Sequence, residues 1–420
     1  MAATAEDRSR EINYDESKVG TYVLPDPLAF ADGTPVKSPE DWTARRRPEL
    51  AKLFESQMFG RLPEAARAVK PRCVVTSEAK DALSGKAARR LVDIHVGDDP
   101  AAPAIHLLVY LPANLEPGRR VPTFLCLNFW ANHAIADEPG IPLSTRWIGS
   151  GAPAGVVDNR ATEKARGSDH MIPVERILAR GYAVATAYYG DIEEDHAGAM
   201  KNGVRGLFLR PGQVEPAADE WGAIAAWAWG LSRAMDYLEA APDVDARRVA
   251  LMGHSRLGKT ALWAGVNDPR FAIVISNNSG EGGAALSKRN YGETIEHLNT
   301  SFPHWFCGNY KAYTGRPDAL PFDQHEEIAL IAPRPVLVVS AEEDRWADPK
   351  GEFLAAKAAE PVYKLLGTDG LGLDTWPTPA IDSLSRGTIG YRYRPGKHDV
   401  TVDDWVAYMD FADHHWNIRR

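Results

Sequence analysis

Residues 182–187, 271–276 and 335–340 form continuous apolar runs without the alternation of a half-exposed strand. Strands apolar on both faces belong inside a mostly parallel sheet that helices cover on each side. Between these runs the period changes: residues 221–238 are apolar over a long span and predict a buried helix. Residues 248–252 predict another strand, followed by the helix-like Ala261, Leu262, Trp263 and Ala264. Earlier, residues 72–76, 88–96, 105–111 and 123–127 read as closely spaced strands, an antiparallel edge leading into the sheet. Residues 389–393 predict a last strand and residues 405–412 a last helix. Ser38-Pro39-Glu40-Asp41 is a helix start, with a capping serine, a first-position proline and acids in the first turn. A second start at Pro48-Glu49 leads into Leu50, Leu53, Phe54 and Met58 and is ended by Gly60 and Pro63.

Alternation of strands and helices predicts the α/β class, with a doubly wound, mostly parallel sheet and helices on both faces in a three-layer sandwich. Residues 1–35 are expected to form an N-terminal arm, its first twenty residues polar and loose. Residues 36–420 are expected to form a single domain, with aperiodic loop insertions near 132–170 and 367–390. Loops of that length inside a compact domain are usually functional.

The net charge of −9, and the lack of a basic block interleaved with aromatics, argue against nucleic-acid binding. Three scattered cysteines, Cys73, Cys126 and Cys307, are too few for a disulfide framework or a cysteine-based zinc site. No stretch reaches the roughly 20 apolar residues of a membrane span. The N-terminus carries no apolar core of a signal peptide, which also fits a secreted protein whose leader has been replaced.

The chemistry centres on Gly253-His254-Ser255-Arg256-Leu257-Gly258-Lys259, where a strand turns into a helix. A serine at such a sharp turn stands out at the top of the sheet, and the N–H groups of the helix start favour a developing oxyanion. The second glycine falls one residue later than in G-x-S-x-G, so Ser255 also reads as a plain helix cap. A hydrolase of this architecture places an acid after a late strand and then a histidine. His398, on the glycine-turned loop Pro395-Gly396-Lys397-His398, is the candidate base. Asp344, four residues after Ser340, is the favoured acid, with Glu281 and Asp348 as alternatives. Asp348 precedes Pro349 and also reads as a helix cap. His254 is expected to turn away into packing. His304 and His325 lack the spacing of a zinc motif, so no metal is expected.

These segments resemble the glucuronoyl esterases of carbohydrate esterase family 15, particularly the bacterial branch. The resemblance rests on the Ser-Arg-x-Gly-Lys elbow, Asn278-Ser279-Gly280-Glu281-Gly282-Gly283 and Phe302-Pro303-His304-Trp305-Phe306. It continues through Asp323-Gln324-His325, Ala332-Pro333-Arg334-Pro335, Trp346-Ala347-Asp348-Pro349 and Gly396-Lys397-His398-Asp399. It implies an α/β-hydrolase fold and hydrolysis, without cofactor, of esters joining 4-O-methyl-glucuronic acid of glucuronoxylan to lignin alcohols. It also implies export from the cell; with the charge and the apolar pattern already read, no nucleic-acid, membrane or protein partner is expected. Carried over by position, Ser255 is similar to the nucleophile, His398 to the base and Arg256 to the oxyanion residue. Lys259, Glu293 and Trp346 are similar to the residues that hold the sugar. Some members carry a glutamate where this chain has Asn278; the acid is then expected at Asp344. Two other readings stand beside this one. The chain is an acetyl xylan or other carbohydrate esterase on the same fold, or a carbohydrate-binding pseudoenzyme.

Overall fold

The computed structural model describes residues 12–97, 102–149, 151–376 and 383–419. Ten strands form its main sheet: β1 (Arg72–Asp81), β2 (Ala87–His95), β3 (Ala104–Pro112), β4 (Val121–Asn128), β5 (Ala183–Tyr188), β6 (Val244–His254), β7 (Ile273–Asn277), β8 (Val336–Ala341), β9 (Ser383–Leu384) and β10 (Ile389–Arg394). They lie in the order β1-β2-β3-β5-β4-β6-β7-β8-β10-β9. From β5 through β10 neighbouring strands are parallel, while β1, β2 and β3 are antiparallel, and β3 pairs antiparallel with β5. The mostly parallel sheet and its antiparallel edge thus follow the apolar pattern. Edge strand β1 is largely exposed, whereas every residue of β5, β7 and β8 is buried.

Alternate residues of each central strand enter different cores. Leu125, Leu251, Val336 and Val338 face one apolar cluster, and Phe124, Cys126, Met252 and Val339 face the other. Helices fill both sides. The first cluster holds α1 (Arg47–Phe54), α3 (Ala223–Ala240), α4 (Arg256–Asn267), α5 (Ile295–Ser301), α6 (Gln324–Ile331) and α7 (Pro349–Leu365). The second holds α2 (Val174–Ala179) and α8 (Val402–His415). This is the three-layer α/β-hydrolase arrangement, in which crossovers put helices on each face of a parallel sheet.

Several local expectations change. Ser38 does cap a helix, its side chain accepting from the Asp41 N–H, but Pro48 starts no second one. The chain stays helical through Phe59, with π-helical turns at Trp42–Arg46 and Glu55–Phe59 flanking α1. A local shift of register tolerates a proline that cannot donate to the helix ladder. Gly60 ends the run at φ +86°, where a Cβ would lie 2.3 Å from the Glu220 carbonyl oxygen. Strand β1 runs five residues beyond Thr76, with an irregular register between Val75 and Ser77. The arm is not loose from Asn13 onward. Glu16 pairs with Arg289 and Lys350, and the Asn13 carbonyl accepts from the Gly292 N–H at 2.9 Å. In the second insertion β9 adds to the sheet edge and Trp376 packs on Tyr393; residues 377–382 lie outside the described residues.

Candidate active site

Strand β6 ends at His254, and α4 begins at Arg256. Ser255 between them has φ +56° and ψ −128°, a conformation L-residues seldom adopt. Such strain at a turn is what holds a serine side chain clear of the backbone. Gly253 allows it: a Cβ there would sit 1.9 Å from the Leu257 carbonyl oxygen. The displaced second glycine has its own reason. At Gly258 a Cβ would approach Ser279 Cβ to 2.9 Å, because α4 passes close over the end of β7. Leu257, at the position where the usual pattern has glycine, is buried in the core.

Ser255 and His398 line one cleft of about 250 Å³, together with Arg256, Lys259, Glu293 and Trp346. His398 Nδ1 is 2.6 Å from Asp344 Oδ2, and the same oxygen accepts from Asn278 Nδ2 at 2.7 Å. Asn278 thus bonds the same carboxylate oxygen as His398. Burial pushes the Asp344 carboxyl up, but bonding to His398, the histidine charge and the Asn278 amide hold it below the usual carboxylate range. The other acids are engaged elsewhere. Glu281 accepts from Ser287 Oγ at 2.6 Å and Tyr310 OH at 3.2 Å, and burial pushes it up to about 8. Asp348 caps α7 through the Gly351 N–H and pairs with Arg289 at 2.8 Å.

His254 is buried, but it packs against His398, their ring centroids 4.5 Å apart. Nδ1 of His254 bonds Asn277 Oδ1 at 2.8 Å. Burial first, and then the charge of His398, push its pKa down to about 3, so it presents a neutral ring.

Lys259 is buried, and its Nζ donates to the Ser279 carbonyl at 2.6 Å and to Glu293 Oε2 at 3.0 Å. The Glu293 N–H in turn donates to the Trp346 carbonyl at 2.8 Å, which ties these two cleft segments together. Gly292 makes that approach possible, since a Cβ there would lie 2.4 Å from the Trp346 oxygen. The cleft wall holds Phe302 stacked on Trp305 at 3.9 Å, with the Arg256 guanidinium 5.0 Å from the Trp305 ring.

Arg256 also pairs with a residue the sequence did not single out, Asp195, whose carboxylate side chain is shielded from solvent. Asp195 accepts further from His304 Nε2 at 2.8 Å, Trp305 Nε1 at 2.7 Å and Tyr189 OH at 3.2 Å. Burial raises its pKa, but these bonds and the Arg256 charge hold the carboxyl far below the usual range. The available signal was an acid a few residues beyond a buried strand, where loop residues reach the top of the sheet. His325 Nε2 donates to the Pro25 carbonyl at 2.9 Å, away from His304. Among the described residues no group of three His, Cys, Asp or Glu side chains is placed to hold a metal ion.

A carbohydrate esterase from an unknown prokaryotic organism is 49% identical to this chain over 407 residues, covering 97% of this chain and 92% of its own. The chain belongs to the glucuronoyl esterases of carbohydrate esterase family 15. The family profile described as "Glucuronyl esterase, fungi" matches residues 176–367. The solved glucuronoyl esterase of Solibacter usitatus is 50% identical and superposes with a TM-score of 0.89 over 96% of this chain and 100% of that one. A 4-O-methyl-glucuronoyl methylesterase of Phanerochaete carnosa is 29% identical over 353 residues, covering 82% of this chain and 72% of that protein. The family profile spans the elbow, the Lys259–Glu293 pair and Asp344, while His398 lies beyond its end. No helix among the described residues is long and apolar enough to cross a membrane.

Proposed function

We propose that this chain hydrolyses esters of the glucuronic acid carboxyl group, with 4-O-methyl-glucuronate of glucuronoxylan as the acyl part and a lignin alcohol as the leaving group. Ser255 Oγ attacks the carbonyl carbon while His398 takes its proton, oriented by Asp344. The oxyanion meets the Arg256 N–H and guanidinium. His398 returns the proton to the departing alcohol, leaving a glucuronoyl-serine that water hydrolyses by the same route. The observation that carries this reading is the 2.6 Å His398–Asp344 bond at the cleft that Ser255 lines, beside the Lys259–Glu293 pair. Lys259, Glu293 and Trp346 would grip the sugar hydroxyls and flank the ring, which an acetyl group does not have. The reading extends to one catalytic unit over residues 36–420, since the cleft draws on side chains from Ser255 to His398. It also extends to action outside the cell, because a xylan–lignin polymer cannot cross a membrane.

Initial rates on benzyl glucuronate, methyl glucuronate, methyl galacturonate and acetylated xylan test it. Glucuronate esters should be turned over fastest. Acetate release that equals or exceeds alcohol release from benzyl glucuronate would assign the chain to acetyl ester chemistry instead.

A further inference from the structure

Both cations that line the cleft have a buried carboxylate partner. Lys259 Nζ is 3.0 Å from Glu293 Oε2, and Arg256 pairs through Nη1 with Asp195 Oδ2. Asp195 is not part of the cleft wall, and its side chain is only 2% exposed. It is held by four donors, from Arg256, His304, Trp305 and Tyr189. One carboxylate oxygen would be enough to aim an arginine. A full set of donors also keeps Asp195 charged, so the guanidinium charge is matched throughout the working pH range.

We infer that Asp195 is a specificity-setting residue: by matching the Arg256 charge it makes the cleft prefer a neutral uronate ester over the carboxylate left by hydrolysis. The inference rests on the uronate reading above. Hydrolysis converts an uncharged ester into an anion at the carbon beside Ser255. An unmatched guanidinium there would hold that anion in a charge-assisted pair and slow its departure. Paired with Asp195, the same group still offers directional N–H donors to the oxyanion, without a net charge to retain the product.

The test measures binding in the Ser255→Ala protein, where the ester persists. Calorimetry gives Kd for methyl glucuronate and for free glucuronate, with and without Asp195→Asn. Arginine stays protonated in either background. The ratio of acid Kd to ester Kd should fall at least tenfold in the Asp195→Asn protein. Equal weakening of both ligands, with the ratio unchanged, would make Asp195 a scaffold and overturn the inference. If Asp195→Asn does not fold, salt titration of Ser255→Ala decides. A charge-matched cleft keeps its acid affinity nearly constant from about 50 to about 500 mM salt, whereas a steep loss overturns the inference. Binding of neither ester nor acid by folded Ser255→Ala would sink the uronate reading and this inference with it.

Discussion

Asp344→Asn removes one negative charge and leaves the shape of the side chain intact. In the native protein one oxygen, Oδ2, takes bonds from both His398 Nδ1 at 2.6 Å and Asn278 Nδ2 at 2.7 Å. An amide cannot repeat this freely. If its NH2 faces the histidine, Nδ1 must carry the lone pair and the proton moves to Nε2, where it blocks removal of the serine proton. If its carbonyl faces the histidine, the tautomer survives but the charge that stabilises the imidazolium is gone. Two unit charges about 4 Å apart at an effective dielectric of about 20 attract by about 4 kcal/mol. Lost from the transition state, that is roughly three orders of magnitude in rate, in line with the cost of neutralising a triad acid. Alcohol release from benzyl glucuronate should therefore show kcat down about a thousandfold with little change in KM, while thermal melting reports an intact fold. Glu281→Gln, whose native partners are Ser287 and Tyr310, should keep most of its activity. Near-full activity of Asp344→Asn beside a collapse in Glu281→Gln would refute this assignment of the acid.

Arg256→Lys should lower kcat by about two to three orders of magnitude with a smaller effect on KM, since lysine cannot both hold Asp195 and present a second fixed donor. A change confined to KM would place Arg256 in ground-state binding. Trp346→Ala should do the reverse, raising KM on the order of tenfold with kcat nearly kept, because it removes one face of the cleft. Gly253→Ala drives a methyl to 1.9 Å from the Leu257 oxygen. It should lose about 3 kcal/mol or more in urea unfolding, and an unchanged midpoint would contradict the elbow geometry. Burial pushes Glu281 from a reference of 4.5 up to about 8, so the native state keeps a proton that the unfolded chain releases. Its stabilising contribution is present below about pH 4.5 and is lost as the pH rises through about 8. The stability gap between wild type and Glu281→Gln should shrink from about pH 5 to about pH 8, and a widening gap would contradict the protonated carboxyl.

The sheet was legible because central strands such as β5, β7 and β8 are buried on both faces, and two-sided burial leaves an unbroken apolar run. Helix continuity was not. A proline reads as a start signal, and nothing local announces the π-helical turns that carry the chain through Pro48. At the site, the elbow announces itself because its geometry demands Gly253 and a close approach at Gly258. The partnerships stay hidden in the sequence. Lys259 meets Glu293 across 34 residues, and Asp344 meets His398 across 54. Asp195 was missed because Glu193-Glu194-Asp195 looks like a solvated acidic stretch, and only the fold brings it behind Arg256. His254 was expected to turn away, yet tight packing at the elbow lays its ring against His398.

The proposed mechanism depends on Ser255 forming the acyl bond with the uronate carboxyl group. Turnover of benzyl glucuronate by wild type and by Ser255→Ala, with melting curves on both, tests it most directly. Wild type should release benzyl alcohol and glucuronate, and a fully folded Ser255→Ala protein should lose turnover on the order of a millionfold. A folded Ser255→Ala protein that keeps more than about one per cent of wild-type turnover would contradict it.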